Sequence, residues 1–405
     1  AEDIFGDDTS LEWRYKGDWG DDDWDDDRDN CNGHSSDYDG RHYSFTPGRS
    51  GDYNAIRPDF EVPFDHTFRY NRSEGVAIYV PFSPDTHDMP GFKIHSYAGY
   101  AFGPHRWYGR LAVGEFLFNN RLGVIAEAHS EPRNDDQWRV LPLENFLGAF
   151  LLHEDWFDWY ETEGFGGSLI LNGPLSSHVK VQYRNETHAL MPNTTNWSLF
   201  GGDKQFRPGF DITPGKDVNL AVHADIGHAV GPFHRGITAG AGIRYVQTLD
   251  ESDFDYTRQD ANVDLFMSLH PRLGIQLSVR GGAIESDLDA GGYGNQHMTP
   301  LGGLGSVSGY DYKSFGYNTS YGLIKAAFVL RKHHDFMGLL WNYGNSWDGT
   351  AGLLSSDYLE GIQDGGAHSV GIGFGGDDVR FEFYKPLSKE HSSREWVMYF
   401  RLVNL

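Results

Sequence analysis

From residue 66 onward, apolar and polar residues alternate one by one over stretch after stretch, the period of a β-strand whose successive side chains point to opposite faces. In residues 272–280, Leu273, Ile275, Leu277 and Val279 fall on one face, with Arg272, Gly274, Gln276, Ser278 and Arg280 on the other. The same alternation runs through residues 218–226, 262–269, 320–330 and 379–384. Period two excludes a helical fold for these stretches. Many of them reach the roughly 9–11 tilted residues a strand needs to cross a bilayer.

A soluble β-sandwich alternates as well, with its polar faces in water and its apolar faces packed together. Composition and end residues favour a transmembrane antiparallel barrel instead. Hydrophobic residues make up only 39% of the chain, aromatics 15%, and glycine supplies 51 residues. No apolar run approaches the roughly 20 residues of a spanning helix, whereas a barrel crosses lipid with low average hydropathy. Phe102, Trp107, Tyr108, Phe118, Tyr245, Tyr256, Trp341, Trp347, Trp396 and Phe400 stand near predicted strand ends, where interfacial girdles form. A formal net charge of −25 argues against nucleic acid as a partner. The single cysteine, Cys31, excludes an internal disulfide framework. Ala1-Glu2-Asp3 at the start is what cleavage of a signal peptide leaves, so export to the cell outer membrane is expected.

Fifteen strands are recognisable, beginning with residues 66–82 and ending with 394–405. Bacterial barrels have even numbers, so a sixteenth is expected upstream of residue 284, at a place the pattern does not give. Short turns such as Gly103-Pro104-His105, Asn119-Asn120, Gly173-Pro174, Gly231-Pro232 and His270-Pro271 oppose long connections at about 132–162, 190–216, 284–318 and 348–366. Residues 142–160 carry Phe146, Leu147, Phe150 and Leu151 at helical spacing after Pro142, which predicts a helical insert. Residues 301–318, LGGLGSVSGYDYKSFGYN, are too rich in glycine and too long for a hairpin turn and are expected to fold into the barrel. Two domains follow: an acidic irregular segment over 1–65 and the barrel over 66–405. In the first, Asp25, Asp27 and Asp29 alternate as calcium ligands do in the first half of an EF-hand, but Asn30 replaces the glycine and no glutamate closes the loop. A solvated acidic tail is the competing reading.

Several motifs in order resemble those of the bacterial surface antigen superfamily of outer-membrane barrels, the BamA-like proteins. Phe68-Arg69-Tyr70-Asn71-Arg72-Ser73-Glu74-Gly75 resembles its opening strand, and Glu144 to Tyr160 with Glu163-Gly164 its helical insert. Val307-Ser308-Gly309-Tyr310, after Gly302, Gly303 and Gly305, is similar to the tip of its inward-folded loop. Leu340 to Trp347 and Phe381 to Leu387 resemble two of its late strands, and Trp396 to Leu405 its closing strand. The resemblance implies an arginine at the loop tip paired with an aspartate on the wall. Both positions are neutral here, Ser308 and Asn342, and since an unpaired buried charge costs several kcal/mol, a neutral hydrogen bond between them is expected. The family's assembly members carry βαβ-type POTRA domains ahead of the barrel, and residues 1–65 are too few and too polar for one, which argues against an insertase.

Three functional classes compete. The first is a non-enzymatic barrel plugged by its own loop, a scaffold or anchor in a cell-envelope complex surrounded by outer-membrane lipid and lipopolysaccharide. The second is a narrow channel lined by Arg184, Asp225, Arg244, Asp264, Arg280, Lys325, Glu382 and Arg401. The third is a membrane-embedded lipid hydrolase using a histidine such as His95, His129, His223 or His228. No GxSxG elbow or HExxH helix supports it, and His333-His334-Asp335 reads as a turn.

Overall fold

The computed structural model describes residues 67–82, 91–118, 121–174, 177–230, 237–270, 272–286, 292–332, 335–349, 352–376, 379–388 and 395–402. Asp25, Asp27, Asp29 and the rest of the acidic segment lie outside the described residues, as do His333 and His334. Sixteen strands form one antiparallel sheet in which each pairs with its neighbours in sequence. They are β1 (Phe68–Asn71), β2 (Gly75–Phe82), β3 (Phe92–Ala101), β4 (Arg106–Leu117), β5 (Leu122–Arg133), β6 (Tyr160–Asn172), β7 (His178–Leu190) and β8 (Gly215–Val230). There follow β9 (Ile237–Thr248), β10 (Thr257–His270), β11 (Leu273–Glu285), β12 (Ser320–Lys332), β13 (Asp335–Trp347), β14 (Ala367–Gly375), β15 (Val379–Pro386) and β16 (Val397–Leu402). Two helices, α1 (Pro142–Leu152) and α2 (Ser356–Gln363), sit in the connections after β5 and β13. No helix among the described residues is long and apolar enough to cross a membrane.

The sheet is inside out by the standard of a soluble protein. On β7, Gln182, Arg184 and Glu186 are almost fully buried, whereas Leu169 and Leu171 on β6 and Val179 on β7 are exposed. On β11, Gln276, Ser278 and Arg280 are buried while Val279 faces out. A sandwich buries its apolar faces, so this inversion removes that reading: the apolar face is turned towards a medium other than water. The long connections, residues 134–159, 191–214, 286–319 and 348–366, all follow odd-numbered strands and so lie at one end of the sheet.

The sixteenth strand comes from splitting the predicted strand 66–82. Asn71 stops it: its Oδ1 accepts the backbone N–H groups of Ser73 at 3.0 Å and Glu74 at 2.7 Å, and Gly75 takes φ +63° to restart in the opposite direction. An asparagine side chain holding the N–H two residues on is a turn that period-two counting does not detect. The predicted helix over 142–160 is also shorter than expected. It ends at Leu152, with His153 at φ +57°. Beyond it the Asp155 carboxylate accepts N–H groups from Phe157 at 3.1 Å and Arg72 at 3.0 Å, which binds the chain into a local turn in place of a helix.

Among the described residues no ladder joins β1 to β16. The two edges approach each other through α1. Phe68 on β1 meets Phe146 edge-on at 5.9 Å, Tyr70 meets Phe150 at 5.6 Å, and Arg401 on β16 donates from Nε to Glu144 at 2.8 Å.

Candidate functional site: the inward loop and its latch

Residues Leu301 to Tyr310 are buried without exception. Backbone bonds fold the segment on itself, Gly303 N–H to Val307 O at 3.2 Å and Phe315 N–H to Leu301 O at 3.2 Å. Gly302, Gly303, Gly305 and Gly309 all have positive φ, a region L-residues avoid. At Gly305 the requirement is double, because a Cβ there would lie 1.9 Å from the carbonyl oxygen of Arg139.

The loop makes contacts in two directions. Leu301, Val307, Tyr310 and Phe315 pack with Trp138, Leu323 on β12 and Ala367 on β14. Leu304 joins a second cluster with Ala77 and Tyr79 on β2, Ala101 on β3 and Tyr108 on β4. Polar contacts pin the tip. Tyr310 Oη donates to His368 O at 2.6 Å, Gly309 N–H donates to Tyr399 Oη at 3.2 Å, and Lys325 Nζ donates to Gly305 O.

Ser308 and Asn342 are 2% and 3% exposed. Both line a cavity of about 90 Å³ together with Lys325, Glu382, Arg401 and Arg380. The expected hydrogen bond between them is not made: Asn342 Nδ2 donates instead to Ser369 Oγ on the neighbouring strand, 3.3 Å away. Of the eight charged residues read as lumen-lining, Lys325, Glu382 and Arg401 are brought together at this cavity. Arg184, Asp264 and Arg280 are buried on β7, β10 and β11, Arg244 is half-buried on β9, and Asp225 on β8 pairs with His178 at 3.3 Å. These five do not line the cavity.

A second cluster holds the base of the loop, and sequence reasoning missed it. Lys313 Nζ reaches Asp136 Oδ2 at 2.9 Å and also Asp158. Arg207 from the connection after β7 and Arg72 from the β1/β2 turn contact the same Asp158, the latter at 3.4 Å. Tyr317 Oη donates to Asp158 Oδ2 at 2.7 Å. Three segments from one end of the sheet thus converge on a carboxylate carried by a fourth. Burial pushes the Asp158 carboxyl up, but Lys313, Arg207 and Arg72 outweigh it and hold it well below the usual carboxylate range. Burial acts on Lys313 in the opposite sense and lowers its ammonium, against Asp136 and Asp158. With three cations facing Asp158, the charged pair is the state that balances the cluster. Lys313 itself holds φ +54°, a conformation costing a non-glycine residue on the order of 1 kcal/mol, kept in place by these contacts. The one legible signal was a solitary lysine in an otherwise uncharged or acidic loop. Its partner Asp158 is hidden by the expectation of a helix over residues 142–160, which ends at Leu152.

For a hydrolytic site, His129 Nε2 contacts Glu186 at 3.2 Å, His223 is buried, and His95 is half-buried. The side chain of His228 lies outside the described residues. A serine–histidine contact does exist elsewhere, Ser198 Oγ to His153 Nδ1 at 2.8 Å. The other ring nitrogen bonds the Asn196 carbonyl, and Ser198 Oγ also accepts the Gly201 N–H. Among the described residues no carboxylate contacts that imidazole, and the pair ties the end of α1 to the connection after β7.

Sixteen antiparallel strands with a polar interior, an apolar exterior, long connections at one end and one buried glycine-rich loop define a transmembrane β-barrel of the outer-membrane type. The fold is the one seen in the crystal structure of BamA from Haemophilus ducreyi lacking POTRA domains 1–3. That likeness has a TM-score of 0.53 at 13% identity and covers 82% of this chain and 69% of that one. Weaker likenesses are to CdiB from Acinetobacter baumannii (TM-score 0.41, 11% identity, 80% of this chain and 56% of that one) and to the siderophore receptor PirA from the same organism (0.35, 10%, 81% and 62%). No family model and no curated protein matches the sequence.

Proposed function

We propose that this chain is a non-enzymatic barrel of the cell outer membrane, related to the bacterial surface antigen superfamily, closed by its own loop and serving as a scaffold or anchor in an envelope complex. The observation that carries this reading is the seating of Leu301 to Tyr310, packed both towards β2–β4 and towards β12–β14 and latched at its base through Lys313. Lipid and lipopolysaccharide surround the apolar exterior, and the long connections at one end supply the surface for envelope partners. A barrel whose lumen is occupied by tightly bonded chain is suited to holding partners rather than to passing solutes. Crosslinking in native membranes followed by affinity purification is expected to recover stoichiometric envelope proteins. Recovery of the monomer alone would overturn the scaffold reading.

The channel alternative is separated by planar-bilayer recording. The intact chain is expected to be silent, and a chain lacking residues 301–318 to conduct. Equal conductance from both would remove the plug.

A further inference from the structure

Away from the loop tip, three buried side chains converge that neither the latch nor the cavity uses. His188 on β7, Asp217 on β8 and His297, in a short 3-10 turn (Asn295–His297) of the connection after β11, are 1%, 1% and 7% exposed. Their ligand atoms all lie within 4.8 Å of one another. His297 Nε2 and Asp217 Oδ2 are 3.7 Å apart. Four-coordinate zinc with bonds of about 2.1 Å spaces its ligand atoms about 3.4 Å apart, so small side-chain movements close the set.

What these atoms lack is as informative as their spacing. Among the described residues, His297 Nε2 and Asp217 Oδ1 have no hydrogen-bond partner. Buried polar atoms left open in this way call for an explanation such as an ion. Asp217 has no lysine or arginine partner among the described residues, and a buried carboxylate without a cation is costly. The neighbouring guanidiniums are already matched, Arg133 by Glu186 at 2.7 Å and Arg258 by Asp260 at 2.7 Å. Glu186 Oε1 lies 3.1 Å from His188 Nε2 and accepts its hydrogen bond in the tautomer that leaves Nδ1 as the ligand atom, the carboxylate–histidine arrangement that orients metal-bound imidazoles. Gln296 approaches that Nδ1 only at 3.5 Å. The rings of Tyr256 and Phe254, at 4.4 and 5.3 Å from that of His297, wall the site from bulk water.

We propose that His188, Asp217 and His297 form a binding site for one divalent transition metal of the zinc class, tying the connection that leads into the inward loop to the barrel wall at β7 and β8. Two imidazoles and one carboxylate suit zinc, cobalt or iron(II) and discriminate against calcium and magnesium, which prefer all-oxygen ligands. Three protein ligands leave a coordination position for water.

The test uses the full chain folded in detergent, stripped with chelator and titrated calorimetrically with Zn²⁺, then with Co²⁺ followed by visible absorption. The expected result is one equivalent per chain, lost in His297→Ala and in Asp217→Asn, with a Co²⁺ spectrum of low coordination number and nitrogen ligands. Equal binding by the parent and His297→Ala would assign the metal to other groups, the acidic residues 18–29 foremost, and overturn the proposal. If a variant fails to fold, the parent's Co²⁺ spectrum decides: an all-oxygen octahedral spectrum, or none, rejects the site.

Discussion

At the scale of single residues, Lys313 decides whether the inward loop stays seated. Replacing one partner of a buried ion pair leaves an uncompensated charge and costs about 3–5 kcal/mol. Arg207 and Arg72 remain on Asp158 and Arg139 lies 3.3 Å from Asp136, so the lower end of that range is expected for Lys313→Met. Urea unfolding of the refolded barrel measures it, and a loss below about 1 kcal/mol would show that the latch carries little. The same cluster sets an acid limit. The Asp158 carboxyl is depressed in the folded chain, so its contribution is fully present above the unfolded value of about 3.9 and is lost as pH falls below it. Below about pH 4 the parent is expected to lose stability more steeply than Asp158→Asn; parallel pH profiles would reject this. None of the cluster could be read from the sequence as a pair, because Asp136, Asp158, Arg207 and Lys313 are far apart in the chain and share no spacing.

At the scale of elements, the strands were legible and their interruptions were not. Alternation located all but one strand within a few residues, since the pleat forces a period of two whatever the neighbours are. The hairpin of β1 and β2 was read as one strand because Val76, Ile78 and Val80 continue the alternation past the turn. The device that bends the chain is a side chain, Asn71, taking over backbone bonds. Asn71→Ala leaves the buried N–H groups of Ser73 and Glu74 without their acceptor, at about 1–3 kcal/mol for each such group. An unfolding midpoint unchanged from the parent would show that the turn is set by Gly75 alone. The insert after β5 follows the same logic. Helical spacing identified α1, but Asp155 ends the helical path by accepting backbone N–H groups, and only the folded chain shows what it accepts from.

At the scale of the whole molecule, period two could not say which face was inside. The burial of Gln182, Arg184 and Gln276 against the exposure of Leu171, Ile243 and Val263 answers it. Val263, half exposed midway along β10, stands opposite Val279 and Ala241 on the outer face. Val263→Arg is expected to cost about 2–4 kcal/mol in a bilayer, the penalty for a cation near the midplane. A cost near zero in lipid vesicles would place this face elsewhere than in the membrane core.

The meeting of the first and last strands on α1 bears on the order in which such a molecule can be made. Glu144 and Arg401 close the longest chain loop of any contact described above, and loop-closure entropy grows with length. That junction is therefore expected to form last. What it closes onto is a helix built from residues 142–152, whose contacts with Phe68 and Tyr70 on β1 close much shorter chain loops. The helix then works as a jig: the final strand is positioned against side chains that the first strand already holds, so the spacing of the two edges is set by α1.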